Sequence, residues 1–123
     1  MKVGGFDENF FLYCEDVDLS WRAKFVNGKC IIMHDSFFFH DISDARDTAF
    51  VKTEMLKSGR YLAWKWGCNE FRSIMEAELV KMGFVDSPNL LPGFEGAPIV
   101  NDVNTVSSIV EFRRLFTFSS ARW

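Results

Sequence analysis

All three prolines of the chain, Pro88, Pro92 and Pro98, fall in one short stretch that also holds Gly93 and Gly96. Proline fixes φ and has no N–H to donate, so residues 86–98 are barred from helix and sheet interiors and read as an extended loop, either a linker or a lid. Ahead of that stretch the apolar residues recur at helical spacing. Val17, Trp21 and Phe25 follow i, i+4, i+8, with Leu19, Ala23 and Val26 alongside; Val51, Met55, Leu56, Leu62 and Trp66 form a second set; Phe71, Ile74, Met75, Leu79 and Met82 form a third. A glycine follows each set, Gly28 after Asn27, then Gly67, then Gly83, as expected of helix stops. The spacing therefore predicts a helix over residues 16–26, a second one after a polar turn at 41–47 with Ser43-Asp44 as its candidate cap, and a third that ends at Gly83. Gly59 interrupts the second set, at about 1 kcal/mol relative to alanine.

Two further segments complete the reading. Residues 29–40 hold two short apolar runs, Cys30 to Met33 and Phe37 to Phe39, around His34-Asp35-Ser36, which predicts two short strands. Beyond the prolines, Val106, Ile109, Val110, Phe112, Leu115 and Phe116 recur at roughly helical spacing with Arg113 and Arg114 on another side, which predicts a short helix docked on the core. The expected architecture is a mostly helical α+β chain with a short two-strand element. With 123 residues it has the size of one ordinary domain.

Charge and cysteine content narrow the function classes. Lys plus Arg number 14 against 17 Asp plus Glu, a net charge of −3, which is the wrong sign for a protein that holds nucleic acid by neutralising phosphates. The three cysteines, Cys14, Cys30 and Cys68, are odd in number and form no C-x-x-C pair, as expected of reduced thiols in a cytoplasm. No run approaches the roughly 18–20 apolar residues of a membrane span, and Met1-Lys2-Val3-Gly4-Gly5 does not open a signal peptide. Aromatic residues make up 16% of the chain, with 14 Phe, 4 Trp and 2 Tyr, many in clusters such as Phe10-Phe11 and Phe37-Phe38-Phe39. Core packing is the ordinary use of such rings, and any that lack a neighbour would drive association into a homo-oligomer. Arg113, Arg114 and Arg122 beside aromatic residues allow at most a peripheral membrane contact.

The densest group of acids runs through Gly4-Gly5-Phe6-Asp7-Glu8-Asn9-Phe10-Phe11-Leu12-Tyr13-Cys14-Glu15-Asp16-Val17-Asp18-Leu19-Ser20-Trp21-Arg22. Asp18 and Arg22 stand i, i+4 in the acid-before-base order that supports a helix by roughly 0.2–0.5 kcal/mol when exposed. This segment resembles the end of the catalytic domain in family 2 glycosyltransferases of the GT-A fold, where a GGFDE-type loop leads into EDVDL and a helix. The similarity extends past Gly28 to His40 and covers about the first 40 residues in order, which is far more specific than a Glu-Asp pair alone.

The resemblance implies an α/β GT-A parent in which residues 1–44 are the C-terminal, acceptor-side segment and residues 45–123 a helical extension with the Pro/Gly loop at 86–98. By position it makes Asp16 the catalytic base of an inverting transfer from a nucleotide sugar to a saccharide or lipid-linked acceptor. Glu15 would orient the acceptor, Tyr13 and Trp21 would line its site, and Gly4, Gly5, Asp18 and Arg22 would be structural. His40 matches a position that ligates a divalent metal, Mn or Mg, in some members. A carboxylate in the first turn of a helix faces unpaired N–H groups and the positive end of the dipole, a setting compatible with a base at neutral pH. The family's N-terminal half, which binds the nucleotide and ends in a D-x-D motif, has no counterpart here. The expectation is a fragment inactive alone, from a cytoplasmic cell-envelope polysaccharide enzyme at the inner face of the membrane. The alternative is a stand-alone helical interaction module derived from such an enzyme.

Overall fold

The computed structural model describes residues 3–26, 28, 29, 31, 33–39 and 47–96. Among the described residues three α-helices form, α1 over Glu15–Phe25, α2 over Thr48–Lys65 and α3 over Asn69–Lys81, followed by a 3-10 turn at Pro88–Leu90. Their ends follow from local chemistry. The α2 N-terminus is capped by Asp47, whose carboxylate accepts from the N–H groups of Ala49 and Phe50 at 2.9 and 3.2 Å, so the cap lies three residues beyond the expected Ser43-Asp44 pair. That pair, like His40 and residues 97–123 with the predicted tail helix, lies outside the described residues.

Two of the three glycine stops close their helices by the same device. After α2, Gly67 takes φ 71°, its N–H donates to Trp64 O at 3.1 Å, and the N–H of Cys68 reaches back to Ala63 O at 2.8 Å. After α3, Gly83 takes φ 73°, with its N–H on Val80 O at 2.8 Å and that of Phe84 on Leu79 O at 3.0 Å. Both are Schellman closures, in which a residue without Cβ adopts the left-handed conformation. Gly28 works differently: its N–H meets Ala23 O at 2.7 Å, and a Cβ there would lie 2.7 Å from that same oxygen. Gly59, by contrast, is buried inside an unbroken α2.

The three-residue link 66–68 folds α3 back along α2 as a helical hairpin. Phe71, Met75 and Leu79, spaced by four, point one face of α3 at Leu56, Leu62, Ala63 and Trp66, and all seven are buried. Glu76 clamps the pair by accepting from Arg60 Nε at 2.8 Å and Arg72 Nε at 2.9 Å. Residues 91–95 lie back across the hairpin rather than forming a free linker: Leu91 is buried, Arg60 Nη1 donates to Pro92 O at 2.8 Å, and the Phe94 ring lies 4.4 Å from the Arg60 guanidinium.

The helix α1 joins this hairpin through Trp21, buried edge-on against Trp66 with ring centroids 5.4 Å apart, and through Asp18. Asp18 is 0% exposed and accepts from three donors: Arg22 Nε at 2.8 Å, Lys65 Nζ at 2.8 Å and Trp66 Nε1 at 2.9 Å. Phe10, Cys14 and Trp21 thus share one core with α2 and α3, across the 44/45 boundary drawn from the sequence.

The two-strand element is corrected: none of the described residues of 29–39 lies in a strand, and His34-Asp35 forms a turn. Ile31, Met33, Phe37, Phe38 and Phe39 are all exposed, and no sheet is present among the described residues to supply a ladder. Short apolar runs become strands only where a partner satisfies their N–H and C=O groups, and an isolated pair is marginal in water.

Asp18→Ala removes a buried carboxylate that accepts from Arg22, Lys65 and Trp66, leaving Lys65 with Asp7 alone, so a loss of about 3 kcal/mol is expected. Asp16→Asn, at an exposed position two residues away, is expected to stay within about 0.5 kcal/mol. Urea midpoints of the two variants at pH 7 check the contrast.

Candidate functional site

The loop that leads into α1 is fixed before the helix starts. Asp7 turns it by accepting from the N–H and Nδ2 of Asn9 at 3.0 and 2.8 Å, while the N–H of Phe10 meets Asp7 O at 3.1 Å. Phe10 is buried against Tyr61, ring centroids 4.9 Å apart and nearly perpendicular. Ser58 on α2 then donates its hydroxyl to Leu12 O at 2.6 Å. Between that anchor and the helix, Tyr13 and Cys14 both take left-handed backbone angles, φ 68° and 70°. For residues with a Cβ this conformation costs roughly 1–2 kcal/mol each, and it persists only where the surroundings over-determine it. Here they do: Cys14 is buried, Tyr13 packs on the core, and Cys14 O accepts the N–H of Asp18 as the first bond of α1.

This junction places Glu15, Asp16 and Asp18 together in the first turn of α1, with different surroundings. Asp16 is exposed and its Oδ1 accepts the adjacent N–H of Val17, at 2.8 Å. Glu15 is half-buried, and its Oε2 is shielded from solvent with no hydrogen-bond partner among the described residues. A buried acceptor left unmet costs about 1–3 kcal/mol. Asp18 is wholly internal.

Arg22 connects Asp18 to the glycine pair. Besides Asp18, it donates through Nη1 to Val3 O and through Nη2 to Gly5 O at 2.8 Å. Gly4 takes φ 77°, and a Cβ there would sit 3.5 Å from Arg22 Nη1. The spaced letters of the GG…D…R pattern are thus one guanidinium fork closing on a loop carbonyl pair and a carboxylate. Trp21, expected beside the acceptor, is a core residue: at 2% exposure, edge-on to Trp66, it offers no face to a ligand.

Lys65 carries the same network outward, bonding Asp7 Oδ2 at 2.5 Å as well as Asp18, and Tyr61 donates its hydroxyl to that Asp7 oxygen at 3.0 Å. Burial pushes the Asp7 carboxyl upward, but the bonds from Lys65, Asn9 and Tyr61 outweigh it and hold the carboxyl down at about 2. Burial and the Asp7 bond push the Tyr61 hydroxyl up to about 12. Burial, with Asp16, Glu15 and Asp18 nearby, raises the Cys14 thiol, which is therefore no nucleophile at neutral pH.

Neither Lys65 nor Tyr61 stood out in the sequence. Both lie more than 40 residues from the carboxylates they bind, and no local spacing announces such a contact. Among the described residues no group of three or more His, Cys, Asp or Glu side chains is placed to hold a metal ion, and no helix is long and apolar enough to cross a membrane. No family model, curated protein or solved structure matches the chain.

The Asp7 carboxyl titrates lower when folded, at about 2, than its ordinary value of 3.8. The stability it contributes is complete above the ordinary value and is lost as pH falls through the folded one, between about pH 4 and pH 2. Unfolding midpoints measured across that window are expected to drop with acidity, and the drop is expected to be shallower in Asp7→Asn.

Proposed function

We propose that the chain is the acceptor-side part of an inverting, family 2-like glycosyltransferase, with Asp16 as the base that deprotonates an acceptor hydroxyl as it attacks the sugar's anomeric carbon. The observation that carries the reading is the junction at Tyr13-Cys14. Two strained residues turn a firmly anchored loop into α1 and leave one carboxylate of the Glu15-Asp16 pair open to solvent and the other with an unmet oxygen. A helix cap alone has no need of such strain, since an extended residue ahead of the helix serves as well. Strain held in place by a buried network is the usual mark of a site whose side chains must be aimed.

In this reading Asp16 takes the proton and Glu15 accepts a hydrogen bond from the acceptor, while Asp18 and Arg22 keep the helix and the Gly4-Gly5 loop in register. Transfer with inversion needs one base on the face opposite the leaving diphosphate. The nucleotide, and the Mn or Mg ion that such a reaction uses, belong to another part of the parent enzyme.

The test is transfer of labelled sugar from uridine or thymidine diphosphate sugars to glycan acceptors by the complete encoded polypeptide. Asp16→Asn is expected to lower kcat by roughly 10²–10⁴ with donor binding retained, the usual contribution of a general base. An Asp16→Asn enzyme as fast as the parent removes Asp16 from the chemistry. For the 123-residue chain alone, calorimetry with the same nucleotide sugars and Mn²⁺ or Mg²⁺ is expected to show no binding. Metal-dependent binding there would overturn the acceptor-side assignment.

A further inference from the structure

The loop that leads into Glu15 and Asp16 forms one wall of a cavity of about 510 Å³ in which neither of them takes part. The cavity opens between α2 and the segment at 91–95, with Asn9 and Phe11 of the loop on one side and Phe84 beyond α3 on another. Its volume falls within the roughly 300–1,000 Å³ typical of small-molecule sites. We propose that it binds a neutral saccharide unit of the acceptor, at a subsite apart from the hydroxyl that Asp16 serves. This rests on the glycosyltransferase reading.

The lining selects the ligand class. Phe11 is 75% exposed and Phe84 45%, and Tyr61 and Phe94 add two further rings to the lining. Rings left open at a cavity mouth offer apolar faces to the C–H groups of a flat ligand. Among the charged groups, Glu54 and Glu95 stand against Lys57 and Arg60. The Arg60 guanidinium is already engaged by Glu76, Pro92 O and the Phe94 ring, and it is 4% exposed. An anionic ligand would therefore meet two carboxylates and a single ammonium, that of Lys57, itself 2.6 Å from Glu54. An alkyl chain would have to bury the Lys57 and Glu54 charges without new partners, which is costly. A pyranose ring satisfies both constraints: its C–H faces meet the rings and its hydroxyls both donate to Glu54 and accept from Lys57. The anchoring bond from Ser58 to Leu12 O couples the cavity wall to the Tyr13-Cys14 junction, so an acceptor held here lies against the loop that positions the base.

The experiment is saturation-transfer NMR on the 123-residue chain with cellobiose and N,N′-diacetylchitobiose as neutral probes, glucose 6-phosphate as the anionic probe and octanol as the apolar one. Saturation transfer to a neutral disaccharide at about 10 mM is expected, the range of weak single-site binding. Affinity is expected to fall about fivefold or more in Phe84→Ala and in Lys57→Ala, and to be unchanged in Asp16→Asn. Both substituted positions are exposed, and unchanged near-UV circular dichroism confirms that the variants fold. No transfer from either disaccharide, transfer that neither cavity variant weakens, or preference for glucose 6-phosphate or octanol each overturns the proposal. Its failure leaves the Asp16→Asn turnover result untouched, and a fast Asp16→Asn enzyme leaves the cavity result untouched, so the two readings fail separately.

Discussion

A single carboxylate, that of Asp18, sits where the first helix, the second helix and the N-terminal loop meet, and each of them depends on it. It is fully buried and accepts from Arg22, Lys65 and Trp66, one donor on its own helix and two at the far end of α2. Buried ion pairs seldom add much net stability over apolar packing, because desolvation offsets most of the attraction. What this one supplies is uniqueness. Moving Asp18 would take from the buried Lys65 ammonium one of its two carboxylates and from the Trp66 indole N–H the acceptor it has in Asp18, which favours one seat for α1 on the hairpin. Arg22 and Lys65 then pass the constraint on, the first to the carbonyls of Val3 and Gly5 and the second to Asp7.

With that frame fixed, the unfavourable backbone at Tyr13 and Cys14 can persist. The loop is held on one side by Asp7, Phe10 and the Ser58 bond to Leu12 O, and on the other by Trp21 and Asp18. The chain has to cross between these anchors, and the left-handed pair is how it does so. A free peptide of the same sequence would relax to ordinary angles. The aim of Glu15 and Asp16 is therefore a property of the whole helical assembly and not of the short motif that contains them.

The parts of this arrangement that were legible in the sequence are the local ones. Helix spacing and glycine stops could be read because a Schellman closure involves six neighbouring residues, and the observed ends of α2 and α3 fall beside the expected Gly67 and Gly83. The Asp18 and Arg22 spacing was legible for the same reason, but its depth was not: an i, i+4 pair looks the same on a surface as in a core, and the partners that bury it come from positions 65 and 66. The cap of α2 was placed too early because Ser43, Asp44 and Asp47 are all good caps and only packing chooses among them. The strands expected over 29–40 are absent from the described residues there for a related reason, since apolar runs state a need for burial without stating what meets it. Gly59 looked like a break by propensity alone, yet α2 runs through it because the contacts of a buried helix outweigh about 1 kcal/mol. The cavity, built from four separate segments, has no linear signature at all.

Two aspartates separated by one valine show how far environment, not identity, decides what a side chain can do. Asp18 faces inward on α1, where three donors satisfy it and no substrate can reach it. Asp16, two positions earlier, is turned by about 200° around the helix axis and projects into solvent with one bond to its neighbour's N–H. Neither arrangement is independent of the other: the helix can present Asp16 at a constant angle because Asp18, with Trp21, stops it from rotating. Exchanging the two environments would destroy the fold at one position and the candidate chemistry at the other. A D-x-D read as a pair of equivalent ligands misses this division, because a helix places residues two apart on nearly opposite faces.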